Sequence, residues 1–279
     1  MKAFPEFADM PPEFWALVKL TSEVLGYTVR NAGLVKAHTA SEIAEVCKKT
    51  NTRVSDKLVE KAARYSAMRA ALLNDFVKGA LMDAAAARIA CEPLLRQHIE
   101  EGLRCKIPLN KQKGDMKQIA YFTAMINILA EKAIKTYAPV ASELGFDDDP
   151  HGLVYVWDDD RNLIGTCSRR FDGAYPGIEN PRMVWEIKEY YYATTFGSRV
   201  ADGVYETQLD GYEFKELYNR TGHKVYHVLF VDAYRTWWEQ GKSYLCRIID
   251  SLNMGLVDEV IFGKEIFARW PKLLESMMQ

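Results

Sequence analysis

Hydrophobic positions recur along the 279 residues with two different spacings, and the change falls near residue 150. Before it, apolar side chains lie three and four apart, the period of a helix buried on one face. Pro11 and Pro12 open a first helix that carries Phe14, Trp15, Leu17, Val18 and Leu20 and stops at Gly26. After a loop over 31–38, Ser41 is placed to cap a short helix with Ile43, Val46 and Cys47 inward. Ser55 is placed to cap the next, with Leu58, Val59, Ala62 and Tyr65 inward. The runs 80–90 and 94–103 extend the helical pattern. A polar break over 111–114 precedes a long helix over 116–137, and it divides a helical region, residues 1–114, from a second region, residues 115–279.

From Gly152 the period becomes two. Strands are expected over 153–157, 163–172 and 183–191, then a helix over 197–219 and a nearly all-apolar strand over 225–231. A helix over 241–253, a short strand over 259–262 and a terminal helix over 266–278 complete the chain. Two crossovers that each contain a helix imply a mixed sheet in an α/β fold.

Charge sharpens this division. Residues 1–135 carry 21 Lys and Arg against 15 Asp and Glu, whereas residues 136–279 carry 15 against 23. A basic half fits a polyanionic partner, and an acidic half fits carboxylates that gather a metal; solvated faces would give the same balance. No apolar run reaches the roughly 18 residues of a membrane span, and Glu6 and Asp9 interrupt the N-terminus where an export signal keeps its apolar core. The odd set of five cysteines without a CxxC pair excludes a disulfide scaffold and a cysteine-built zinc finger. A reducing, cytoplasmic location is expected.

The segment RRFDGAYPGIENPRMVWEIKEYY carries the chemistry. On a strand over 183–191, Glu186 and Lys188 share one face, and Trp185 and Ile187 take the other. The link through Pro176 and Pro181 is short enough to bring Asp172, at the end of the preceding strand, beside Glu186. Two adjacent carboxylates repel unless a divalent cation lies between them, and magnesium suits such oxygen ligands. Lys188 would then reach a water and a scissile phosphate. A turn aspartate and a solvated strand face with a cross-strand ion pair is the plainer alternative.

Asp172 followed 14 residues later by Glu186-Ile187-Lys188 resembles the signature of the PD-(D/E)XK nuclease superfamily, and most of all its type II restriction endonucleases. The order of elements over about 116–263 is similar to that superfamily's core. The resemblance implies a restriction-endonuclease-like core: a mixed central sheet flanked by helices in the order αβββαβ, here with an N-terminal all-helical region. It implies Asp172 and Glu186 as ligands of Mg²⁺ or Mn²⁺ and Lys188 as the catalytic lysine. Phe171 stands where the signature has proline. Gln208 and Tyr212, four apart on one helical face, resemble the QxxxY motif of RecB-type and phage-type exonucleases, where the pair positions substrate. In those families the helix before the sheet supplies a further ligand, and Glu131 is the candidate here.

Weaker signals complete the reading. Lys48, Lys49, Arg53, Lys57 and Lys61 crowd a segment with the length of a helix-turn-helix or a plain helical hairpin, and could meet phosphates. Arg199, with Tyr190-Tyr191-Tyr192, could line a nucleic-acid groove, or the tyrosines could close the core. Asp147-Asp148-Asp149 reads as a solvated turn, since three consecutive side chains cannot converge on one ion. His223 and His227 lie about 13 Å apart along a strand, too far for a shared metal. The expected function is therefore a Mg²⁺-dependent, site-specific DNA endonuclease acting on double-stranded DNA as a homodimer. A RecB-type or phage-type exonuclease, or a non-catalytic DNA-binding protein of the same fold, are the alternatives.

Overall fold

Three amphipathic helices at the N-terminus bury one shared face. In the computed structural model, which describes residues 1–29, 32–110, 118–137, 145–192 and 198–279, these are α1 (Pro12–Leu25), α2 (Ala40–Lys49) and α3 (Asp56–Ala71). A small hairpin of β1 (Thr28–Val29) and β2 (Leu34–Val35) lies between the first two. Phe14, Trp15 and Phe7 pack edge-on around Tyr65, with Ile43 and Val59. Ser55 caps α3 as expected, accepting from the Leu58 amide. Thr39 rather than Ser41 caps α2: its hydroxyl accepts from Glu42 N, and the Glu42 carboxylate accepts from Thr39 N. That reciprocal box satisfies two orphan donors, more than Ser41 offers from inside the first turn.

α3 runs into a π-helical turn (Leu72–Val77) and a short α4 (Lys78–Ala80). Asp83 then caps α5 (Ala84–Glu100), and α6 spans Tyr121–Tyr137. α6 starts later than its apolar pattern suggests because the backbone before it is already engaged: Asn110 N donates to Gln118 O and Ala120 N to Pro108 O. The polar break at 111–114 lies outside the described residues. Packing draws α5 into the sheet's core: Met82, Ala87, Cys91 and Leu94 share a cluster with Phe122, Ile126, Trp185 and Phe230.

The second half is a mixed α/β assembly. β3 (Tyr155–Trp157) and β4 (Leu163–Thr166) form a separate hairpin. β5 (Gly173–Tyr175), β6 (Met183–Glu189), β7 (Tyr226–Asp232) and β8 (Glu259–Phe262) form one sheet in that order. β5 and β6 are antiparallel, and β6, β7 and β8 are parallel. The crossovers run through α7 (Ser198–Thr221) and α8 (Lys242–Asn253), and α9 (Ile266–Met278) closes the chain. Alternation sorts the strands cleanly. Trp185, Val228, Phe230 and Ile261 face α5, α6 and α9, while Leu229, Val231, Val260 and Phe262 face α7 and α8.

The expected strand over 163–172 stops at Thr166. Beyond it the polar side chains find partners on α7: Ser168 N donates to the Glu213 carboxylate, and Arg169 binds Asp210. Asp172 consequently stands at the start of β5 rather than at the end of a long strand. The helical and sheet parts are tied by a buried pair: Arg69 donates to both oxygens of Asp250 on α8 at 2.9 Å, and Tyr65 Oη donates to Asp250 at 2.6 Å. Among the described residues no helix is long and apolar enough to cross a membrane, and all five cysteines are free and buried.

Candidate active site

Register brings the acids together. Gly173 pairs with Trp185, so the residue before it, Asp172, lies opposite Glu186. Asp172 N donates to Trp185 O at 3.0 Å, and Ile187 N donates to Asp172 Oδ2 at 2.7 Å. The close approach needs glycine at 173, because a Cβ there would lie 2.1 Å from the Trp185 ring. Trp185 itself is wholly buried against Phe146 and Trp270, which fixes the strand that carries Glu186 and Lys188.

Those two side chains emerge toward α7. Lys188 Nζ lies 2.9 Å from Glu186 Oε2 and 3.0 Å from Glu206 Oε2. Gly203, one turn before Glu206, makes room for the lysine stem, since a Cβ there would meet Lys188 Cδ at 3.3 Å. Arg169 enters from the loop before β5 and touches three carboxylates: Glu186 Oε1 at 2.8 Å, Asp210 Oδ2 at 2.9 Å and Glu206 Oε2 at 3.4 Å. Asp172, Glu186 and Lys188 are thus brought together, and Arg169, Glu206 and Asp210 join them. Sequence reasoning missed these three. Gly203, Glu206 and Asp210 lie at i, i+3 and i+7 on one helical face, and that spacing beside an acidic strand was the available signal.

Four carboxyl groups meet two cations here, an excess of negative charge. Glu186 is almost fully buried; burial alone would raise it, but Lys188 and Arg169 outweigh burial and hold it below the usual carboxylate range. Asp172 keeps a solvent-open side, yet surrounding protein and then the Glu186 charge push it up to about 7. Burial pushes Asp210 up to about 7 despite Arg169. Lys188 is raised, burial being overcome by Glu186. Asp210 Oδ1 and Glu186 Oε1 are buried without a directed hydrogen bond among the described residues, the latter despite its ionic contact with Arg169. No group of three His, Cys, Asp or Glu side chains among those residues is arranged to hold a metal unaided.

The remaining expected site residues lie elsewhere. Glu131 is wholly buried and spent on structure: its oxygens accept from the amides of Arg104 and Cys105 and pair with Lys135. Gln208 Nε2 donates to Ser251 Oγ on α8, and Tyr212 is half exposed near Ile164 and Thr166 of β4. Both sit off the α7 face that meets Lys188. Of the basic hairpin, Lys49 pairs with Glu45 and Lys61 with Glu6, whereas Lys48, Arg53 and Lys57 are exposed. Arg199 is exposed, with its carbonyl accepting from Tyr190 Oη. Tyr190 stacks on Trp237, and Tyr191 donates to buried Asp232. Asp147–149 is more than a solvated turn: Asp148 accepts from Lys106 N and Asp149 pairs with Lys106 Nζ. His227 is buried in β7 with Nδ1 on Leu256 O.

No curated protein and no solved structure matches the chain. Two family models do, each described as a domain of unknown function: DUF7690 over residues 1–76 and DUF7687 over residues 82–277. They meet at the π-helical turn and α4, where the three-helix cluster gives way to the sheet and its helices. The second match covers most of the molecule and includes the whole Asp172–Lys188 site, so the chain belongs to the DUF7687 family.

Proposed function

We propose that the chain is a Mg²⁺-dependent DNA endonuclease of the restriction-endonuclease-like kind, hydrolysing phosphodiester bonds in double-stranded DNA. The observation that carries this reading is the alignment of Asp172, Glu186 and Lys188 by the β5–β6 register. The donor set fits a divalent cation. Two carboxylates suffice for magnesium, which keeps waters and takes substrate phosphate for its other positions. Four carboxyl groups against two cations supply the negative field. Asp172 and Glu186 would hold the ion; when bound, it polarises the phosphate and eases ionisation of a water. Lys188, kept protonated by Glu186 and Glu206, opposes the negative charge that builds on the phosphate oxygens. Arg169 holds Glu186 from its other side and keeps that carboxylate in one orientation.

We favour the endonuclease over the exonuclease because Gln208 and Tyr212, which an exonuclease would turn to the substrate, are directed to α8 and to solvent. Cutting both strands calls for two copies of the site, and we include a homodimer in the proposal. The test is incubation of purified protein with closed circular plasmid, with and without Mg²⁺. Discrete fragments that require Mg²⁺, and that vanish in Asp172→Asn and Glu186→Gln, are the expected result. Cutting by either variant, or none by the wild type, would remove the reading.

A further inference from the structure

Two lysines outside the acidic site share one buried indole. Lys78 on α4 lies with Nζ 5.7 Å from the Trp238 ring centre, and Lys242, the first residue of α8, lies 5.1 Å from it. Trp238 is almost fully buried, and Lys242 itself is only 9% exposed. Neither ammonium has a carboxylate within ion-pair distance among the described residues; the nearest partner of Lys242 is the Glu239 carbonyl at 3.4 Å. Burial loosens the Lys242 proton against the pull of Glu239, and the Lys78 charge adds to that. The two like charges share one ring with no acid in ion-pair contact, Glu239 acting only from a distance, and an anion between them relieves their repulsion.

The position says which anion. Trp237 Nε1 donates to Lys188 O at 3.2 Å, and Tyr190 stacks on Trp237 at 5.6 Å, so the lysine pair lies on the same face and at the same strand ends as Lys188. Trp238 is too buried to stack on a base, so recognition there is ionic and blind to sequence. We infer that Lys78, Trp238 and Lys242 form a clamp for a backbone phosphate of the DNA that enters the Asp172–Lys188 site. This rests on the nuclease reading and adds a substrate contact to it.

The test is binding of a short mixed-sequence duplex without divalent cation, followed by fluorescence anisotropy across a salt series. Lys78→Gln with Lys242→Gln is expected to lower the log–log salt slope by about 0.9, the value of the one phosphate contact that the clamp makes. Lys78→Gln alone, at an exposed side chain whose loss leaves the fold unthreatened, is expected to lower it by part of that, with Lys242 left to hold the phosphate. Arginine at both positions should keep the slope. A full slope in either folded glutamine variant overturns the clamp. If the wild type cuts plasmid while that slope persists, only the clamp fails; if it neither binds nor cuts, the nuclease reading fails with it.

Discussion

Asp210→Asn probes the electrostatics of the site without touching Asp172, Glu186 or Lys188. Asp210 has no exposed surface; Arg169 binds one oxygen and the other has no partner. Its carboxyl is pushed from 3.8 to about 7. An acid raised in this way keeps its proton in the folded state at pH values where the unfolded chain has lost it. Stability therefore falls as pH rises from about 4 to about 7, then levels off, and below 4 the group costs nothing. A gap of about three units corresponds to about 4 kcal/mol above pH 7 and to less than half of that at pH 5. Asparagine has the same shape and no such dependence. Its advantage over aspartate should grow by about 2–3 kcal/mol between pH 5 and pH 8. Urea unfolding followed by tryptophan fluorescence, in chelator at both pH values, measures this difference. Comparing the two pH values cancels any constant cost of losing the Arg169 pair. An advantage that stays constant, or shrinks as pH rises, would refute the account of Asp210 as an acid whose charge burial penalises more than Arg169 relieves.

Four further outcomes follow from the same contacts. Glu186→Gln takes one carboxylate from Lys188 and Arg169, which keep Glu206 and Asp210, so chemical denaturation should show a loss of about 1.5–3 kcal/mol for the charged hydrogen bonds along with lost cleavage. Asp172→Asn removes a like charge and should stop cleavage without lowering the melting temperature, read by plasmid assay and thermal scan on one preparation. Gly173→Ala drives a methyl group into the Trp185 ring and should cost about 1–3 kcal/mol or more by urea titration. Gln208→Ala with Tyr212→Ala should leave plasmid cleavage at the wild-type rate and cost about 1 kcal/mol for the Ser251 bond; a collapse of activity in the folded variant would restore the exonuclease reading.

What could be read in the sequence was whatever depends on period and local chemistry. Period two put Glu186 and Lys188 on one face of β6, and period 3.6 located α1, α7 and α9 within a few residues. What could not be read depends on partners far along the chain. The strand over 163–172 breaks because Ser168 and Arg169 are claimed by Glu213 and Asp210 some 40 residues later. Glu131 has the helix and the charge of a metal ligand, but the amides of Arg104 and Cys105 reach it first. The π-helical turns at Leu72–Val77 and Tyr234–Gln240 have no period of their own to reveal them. Nothing local marks Glu206 and Asp210, because their cations come from β6 and from the loop before β5.

The α7 acids also resolve a difficulty in the nuclease reading. A lysine 2.9 Å from Glu186 neutralises the carboxylate that a cation would need, and Arg169 adds to that on its other oxygen. With Glu186 as their sole partner, each would lose its only buried counter-charge when Glu186 turned to a metal, at a cost of several kcal/mol. Glu206 and Asp210 change this balance. Lys188 Nζ is already 3.0 Å from Glu206, and Arg169 is already 2.9 Å from Asp210. Both cations can therefore keep a partner while Glu186 is shared with an ion, and neither has to leave the site. On this argument α7 contributes a counter-charge reserve, and its acids matter to metal binding without being ligands. Glu206→Gln should then weaken Mn²⁺ binding measured by calorimetry, in the absence of DNA, although Glu206 touches no metal. Affinity equal to the wild type would mean that Lys188 has no need of its second partner.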